Sequence, residues 1–355
     1  MATTQKPLPL AAFSLAAIAP VALLGFGAAT GGVLLWAAFL YMAGLTLLLD
    51  QLIPLTAGDR DDEAEFPAAD LLLIAIGLGQ LALLPLATWA IAGDSGLTLP
   101  ERAIFFAAAG FWFGQVAHPA AHELIHRPNR HLFRLGAAIY ASLLFGQHAS
   151  AHRLVHHRHV ASTLDPNTAR NGESYYRFAR RAWWGSFRQG WQAETALRAQ
   201  GPARLHPYAA YLATGALCLT LAWAIAGLPG VLVWAGLALH AQSQILLSDY
   251  VQHYGLSRAT LPDGRLEPVG PRHSWNTAHW FSSAMMLNAP RHSDHHAHPQ
   301  RPFPALRLPP ASEAPRLPWP LPLACAMALA PRLWHRRLRP HLARWSETPP
   351  QDTQP

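Results

Sequence analysis

The sequence predicts an all-α integral-membrane protein, with six transmembrane helices and a His-rich cytoplasmic catalytic domain. Three observations carry that prediction. Apolar runs of about 20 residues, the length of a helix that crosses a bilayer, recur at 9–29, 32–52, 70–93, 101–121, 208–227 and 230–250. Charged residues make up 13% of the 355, against about 25% in soluble domains, and hydrophobic residues make up 51%. With the N-terminus inside, the arginines of 127–206 and of the tail are cytoplasmic and only Arg102 falls outside, which satisfies the positive-inside rule.

In chain order, the first two runs are joined by GAATGG near 27–32 and read as a retained hairpin rather than a cleaved leader. The acidic stretch GDRDDEAE, 58–65, reads as a solvated loop. The fourth run passes through FFAAAGFWFGQVAHPAAHELIH into the first group of histidines. Leu132–Gly146 is too short to span and reads as an interfacial or core helix. GLPG at 227–230 marks a tight turn between the last two runs. Prolines exclude continuous helix from 302–322, and Pro320–Leu333 is too short and Pro-flanked to span. SETPPQDTQP ends the chain as a disordered tail. The expected division is 1–121 for transmembrane helices 1–4, 122–206 for a cytoplasmic region with interfacial helices, and 207–250 for helices 5–6. A second cytoplasmic region follows over 251–345, then a disordered tail over 346–355.

The net charge of +7 is almost wholly arginine, Lys6 being the single lysine. In an apolar chain this points to basic cytoplasmic loops rather than nucleic-acid binding, and such a face can dock an acidic redox partner. Cys218 and Cys325 give neither a disulfide framework nor a CxxC site. No cluster needing four thiolates can be built from them, so any such electron carrier is a separate protein.

Nine histidines fall in four short groups on the predicted cytoplasmic side: His122 and His126, then His152, His156 and His157, then His253, then His292, His295 and His296. Residues four apart on a helix share a face, so His122/His126, His152/His156 and His292/His296 can each grip one ion. His157 and His295 add imidazoles that can turn toward a second. Imidazole suits Fe, Zn, Cu and Ni, and nine exceed the four ligands of a closed zinc site. Two ions, each with four or five ligands, use the set. The rival is His122-Glu123-Leu124-Ile125-His126, formally the HExxH of zinc proteases with Glu123 as general base, but it leaves most of the clustered histidines without a role. A metal carrier or transporter would need polar residues within the spans, and few are present.

The boxes HELIH (122–126), HRLVHH (152–157), YVQHYGL (250–256) and RHSDHHAHP (291–299) resemble those of the integral-membrane non-haem diiron alkane hydroxylases (alkane 1-monooxygenases) of the fatty acid desaturase-like superfamily. LDPNTARNGES (164–174) and HSWNTAH (273–279) stand where that family has similar strings, and LLLD (47–50) is a weaker match. The resemblance covers roughly 120–300. It implies two iron ions held by His122, His126, His152, His156, His157, His253, His292, His295 and His296, and no catalytic side chain beyond the metal centre. It further implies terminal hydroxylation of alkanes with O2, with electrons from rubredoxin or a ferredoxin and its NAD(P)H-dependent reductase, in the bacterial inner membrane. Glu123, Asp294, His273 and His279 would orient ligands from behind, and Met42, aligned through LLLD, would gate an apolar substrate channel.

Several positions depart from the family pattern. Ile125 and Val155 replace glycines, Ala151 a glutamate, His159 an aspartate, and Asn288-Ala289-Pro290 precede the last box instead of Leu-Gln. None removes a ligand, and together they mark a divergent member. Acyl-chain desaturation or decarboxylation, and aromatic-methyl hydroxylation of the xylene type, share the same His-rich logic.

Overall fold

The computed structural model describes residues 6–53, 55–59, 66–199, 201 and 205–346. Over these the chain is helical, and pairing between extended segments is limited to isolated bridges, Thr260–Leu266 and Asn276–Arg316. Residues 60–65 of the acidic loop and 347–355 of the tail lie outside the described residues.

Helices α1 (Leu10–Thr30) and α2 (Val33–Leu52) form the expected hairpin. Its turn uses Gly31 and Gly32, both at φ 62°, a conformation other residues rarely adopt. Glu101 pins this turn to the next hairpin: one carboxylate oxygen accepts from Gly32 N at 2.7 Å, and the other accepts from Thr98 N at 2.8 Å in a capping box. After α3 (Pro67–Ala92), helix α4 (Leu99–Trp112) continues through a π-turn (Phe113–Ala117) into α5 (His118–His126). α6 (Arg130–Ser142), capped by the Asn129 side chain, is the short helix expected near 132–146. α7 (Gln147–Ala151) enters a second π-turn, His152–His156.

Beyond these lie α8 (Tyr175–Ala199), α9 (Pro207–His253), and the short helices α10 (Trp280–Met285) and α11 (His292–Ala297). α12 (Leu321–Ala328) and α13 (Pro331–Ser346) close the described chain. The sequence reading gave no helix at 331–346. It is arginine-rich outside, but Trp334, Leu338 and Leu342 repeat every four residues and are buried, which anchors it.

Among the described residues, four helices are long and apolar enough to cross a membrane: α1, α2, α3 and α9. The expected span 101–121 falls on α4, its π-turn and α5, a run that is not among these four, whereas α2 is among them with a π-turn of its own at Tyr41–Leu45. The expected spans 208–227 and 230–250 share α9, whose 47 residues would reach about 70 Å if straight, over twice a hydrocarbon core. α9 is not straight. Ala226 (φ −152°, ψ 28°) and Gly227 (φ 58°, ψ −145°) break it into two arms, and a side chain on Gly230 would run into the Ala222 carbonyl. Buried indoles fasten the helices to one another: Trp112 Nε1 donates to Ala17 O, and Trp234 Nε1 to Ser142 O, each at 2.9 Å.

Candidate metal centre

Four separate stretches converge below these helices. α5 can lie close on α6 because position 136 is glycine. A Cβ there would meet Ala121 O at 2.8 Å and Ile125 Cγ2 at 2.9 Å. Ile125, bulkier than the family's glycine, is therefore accommodated by a glycine on the facing helix. The C-terminal end of α9 delivers His253, fully buried. α11 delivers His292, His295 and His296, and the unusual Asn288 before it sits at φ 56°, a region asparagine tolerates. Asn288 Nδ2 donates to Phe303 O at 2.9 Å, tying that turn to the tail.

The nine histidines form two groups, His122, His126, His152, His157 and His295 in one and His156, His253, His292 and His296 in the other, with the candidate ligand atoms of each group within 4.8 Å of one another. Two rings bring the groups side by side, with centroids of His157 and His296 4.6 Å apart. In the first group, Nε2 of His152 lies 2.7 Å from that of His122 and 2.9 Å from that of His157, and His157 lies 3.1 Å from His295. In the second, His292 Nε2 is 3.0 Å from His253 Nε2 and 3.1 Å from His296 Nε2.

This donor set fits metal ions. Imidazole nitrogens bound at about 2.1 Å and at right angles around one ion stand about 3.0 Å apart, the spacing of these Nε2 atoms. Nε2 of His126 and of His156 are buried with no hydrogen-bond partner. Burial first, then the neighbouring imidazoles, push His152, His157, His292, His295 and His296 well below the ordinary histidine pKa. They are neutral at physiological pH, the state a ligand needs.

The i,i+4 pairs do not all serve one group. His122/His126 and His292/His296 stay together, but His152 and His156 part. The cause is local: His152–His156 is a π-turn, wider than an α-turn, so it brings His157 rather than His156 beside His152.

Behind the ligands, the two groups differ. His156 Nδ1 is 2.8 Å from Asp165 Oδ2, fully buried. Asp165 is fixed by Asn167 N at 3.0 Å and by Thr168 Oγ1 at 2.7 Å, and Asn167 Nδ2 donates to Asp249 at 2.7 Å. Burial lowers the His156 pKa, but the Asp165 and Asp249 carboxylates outweigh it and raise it. His253 Nδ1 is 3.4 Å from Ser274 Oγ and the ring is also hydrogen-bonded to the His273 backbone. In the five-member group Nδ1 of His152, His157 and His295 has no partner, and in the four-member group the same holds for His296. Asp165, Asn167, Asp249 and Ser274 were not singled out by the sequence. Asp165 and Asn167 lie in the LDPNTARNGES string, and an aspartate in a motif beside a His box was the available signal.

Of the residues expected to orient ligands, the Glu123 and Asp294 carboxylates hold backbone amides and arginines. Glu123 accepts from Phe303 N at 3.0 Å and lies 3.5 Å from Arg127, joining α5 to the tail. Asp294 accepts from Arg307 N at 2.8 Å, from Arg301 and from His298. The His273 side chain bonds Gly270 N and Glu267, while its backbone reaches His253. His279 is at the start of α10 with Nδ1 buried and unpartnered. Met42 is buried on the face of α2 that also carries Leu35, Ala38, Thr46 and Asp50. That face ends against α10: Thr46 Oγ1 is 3.5 Å from Met285 Sδ, and Asp50 caps α10 by accepting from Phe281 N at 2.8 Å and Ser282 N at 3.1 Å. Asp50 is the last residue of LLLD.

The sequence profile of the fatty acid desaturase family matches residues 100–320. The chain is 31% identical to alkane 1-monooxygenase 1 of Pseudomonas aeruginosa over 327 residues, 86% of this chain and 82% of that protein. It is 33% identical to an alkane 1-monooxygenase of Pseudomonas putida over 234 residues, 63% of this chain and 56% of that one. Alkane 1-monooxygenase 2 of P. aeruginosa matches at 28% over 316 residues, 86% of this chain and 83% of that protein. Four candidate spanning helices, a profile match over all four boxes and relatives that extend into the helical hairpins agree with one another. The chain is a membrane oxidoreductase belonging to the alkane 1-monooxygenase family, within the fatty acid desaturase-like superfamily, as a divergent member.

Proposed function

We propose that the protein hydroxylates the terminal methyl of alkanes to 1-alkanols, with two iron ions held in the two histidine groups. The observation that carries this reading is the convergence of nine imidazoles, without a thiolate among them, into two adjacent sets. A zinc protease would use His122, His126 and one more ligand, and leaves the rest of the five-member set unexplained. Bound iron supplies the O2 chemistry that no side chain provides. The balance is one alkane, one O2, two electrons and two protons giving one alkanol and one water. The electrons would come from rubredoxin or a ferredoxin with its NAD(P)H-dependent reductase, docking on the basic face.

The chain's part is to hold the nine rings, keep water out and position the substrate. On this proposal α4 with the start of α5, and the two arms of α9, complete six passes, and both termini and all four boxes are cytoplasmic in the bacterial inner membrane. The five regions set out above, bounded at 121, 206, 250 and 345, follow from that topology. An alkane enters from the bilayer and lies along the inner face of α2, where burial contributes about 0.8 kcal/mol per methylene. Met42, eight residues before Asp50, would then set chain length.

The test is purified full-length protein with iron quantified, supplied with an electron-transfer pair, O2 and a panel of alkanes, fatty acids and toluenes, with products read by mass. Two irons and 1-alkanols are expected. Alkenes from acyl chains, or benzyl alcohols from toluenes as the main product, would replace the reading. Met42→Trp should shorten the longest alkane oxidised, and an unchanged product profile would remove Met42 as the gate.

A further inference from the structure

We propose that α8 lies on the membrane surface and binds acidic phospholipid headgroups through Arg177, Arg180 and Arg188, with Trp184 and Trp191 set at the headgroup boundary. Positions 177, 180, 184, 188 and 191 follow one another by three or four residues, so they share one narrow face of the helix. All five are exposed, and the opposite face, Tyr175, Phe178, Ala182, Ser186 and Gly190, is buried. The buried side packs on α7, on the π-turn that carries His152 and His156, and on α9. Among the described residues no hydrogen bond or ion pair holds Arg177, Arg180 or Arg188. The nearby acids are committed elsewhere: Glu173 pairs with Arg181 and Glu194 with Arg198. Among the described residues the face is therefore positive, aromatic and free of competing carboxylates.

Continuity identifies the occupant. The Trp191 ring lies 4.1 Å from that of His206 and 5.2 Å from that of Tyr208, and His206 caps the first turn of α9. The stripe thus runs into the mouth of a spanning helix, where exposed Leu205, Leu212 and Leu217 extend an apolar surface. Tryptophan at a bilayer edge, with arginines whose stems lie along apolar surface and whose heads reach phosphate, is the chemistry of an interfacial helix. A soluble acidic protein would have to seat itself against that apolar mouth.

The test uses the full chain in native membranes, with p-benzoylphenylalanine placed in turn at Trp184, at Trp191 and, as a control, at Arg265 in an exposed turn. Irradiation should give lipid-mass adducts at 184 and 191 and none at 265. A protein adduct at 184, or no lipid adduct at either position, would overturn the proposal. In nanodiscs of phosphatidylcholine with a minority of phosphatidylglycerol, R177Q/R180Q/R188Q should retain acidic lipid on the order of tenfold less than the parent chain, at unchanged helix content by circular dichroism. Unchanged retention would overturn the charge assignment. Both readouts follow lipid rather than turnover, so this inference stands or falls separately from the proposed reaction.

Discussion

The five-histidine and four-histidine groups are neighbours that differ in how many of their rings are held from behind. The five-member group has an excess of imidazoles and little behind them, with Nδ1 of His152, His157 and His295 unpartnered. The four-member group has one ring fewer, but His156 is backed by buried Asp165 and His253 by Ser274 and the His273 backbone. A carboxylate or carbonyl on the far nitrogen fixes the tautomer and raises ligand basicity. One group thus has a ring to spare, and the other has two of its four rings, His156 and His253, held from behind while Nδ1 of His296 is unpartnered. The difference means the same type of substitution should have unequal consequences on the two sides.

The largest effect is expected from removing a ligand where none is spare. His292→Ala leaves three rings in its group and should release one of two irons and abolish hydroxylation. His126→Ala leaves four in the other group, enough for a closed set, and should retain most iron while losing activity. Iron per chain, measured by mass spectrometry on both variants, decides it. Equal losses would break the contrast, and a fully iron-loaded, active His292→Ala protein would end the ligand assignment.

Next comes the support itself. Asp165→Asn keeps the accepting oxygen that Asn167 N uses but presents an amide to His156 Nδ1, so the ring must turn or change tautomer. Metal affinity should fall about 10- to 100-fold, for one ion only, in a chelator competition on the reconstituted protein. Loss of both ions together would show that Asp165 supports the fold around the centre rather than one ligand.

This division was only partly legible in the chain. Box spacing revealed the rings, and apolar runs of span length revealed the helices, because both are local patterns. What sorted the rings is not local. The π-turn at His152–His156 looks like any i,i+4 pair in sequence, yet it sends His152 and His156 to different groups. Asp165 lies nine residues from its histidine behind a turn set by Asn167 and Thr168, and nothing in the spacing announces that loop's path. The departures are similar. Ile125 reads as a lost glycine until Gly136 is seen facing it, and Asn288 reads as a foreign residue until its positive φ is known. Conversely, Asp50 in LLLD proved structural, holding α10 through two backbone amides.

The smallest effect is expected at Ser274. Its hydroxyl stands 3.4 Å from His253 Nδ1, at the long end of hydrogen bonding, and the His273 backbone already holds the same ring. Ser274→Ala removes only the weaker of two partners, so affinity for the ion in the four-member group should drop less than about threefold, well short of the range for an isolated support. The chelator competition used for Asp165→Asn measures both variants on one scale. If Ser274→Ala matched Asp165→Asn, the carboxylate would have no special standing, and support in this group would depend on the number of contacts rather than on charge. A clear gap between the two would locate the group's strength in the single buried Asp165–His156 pair.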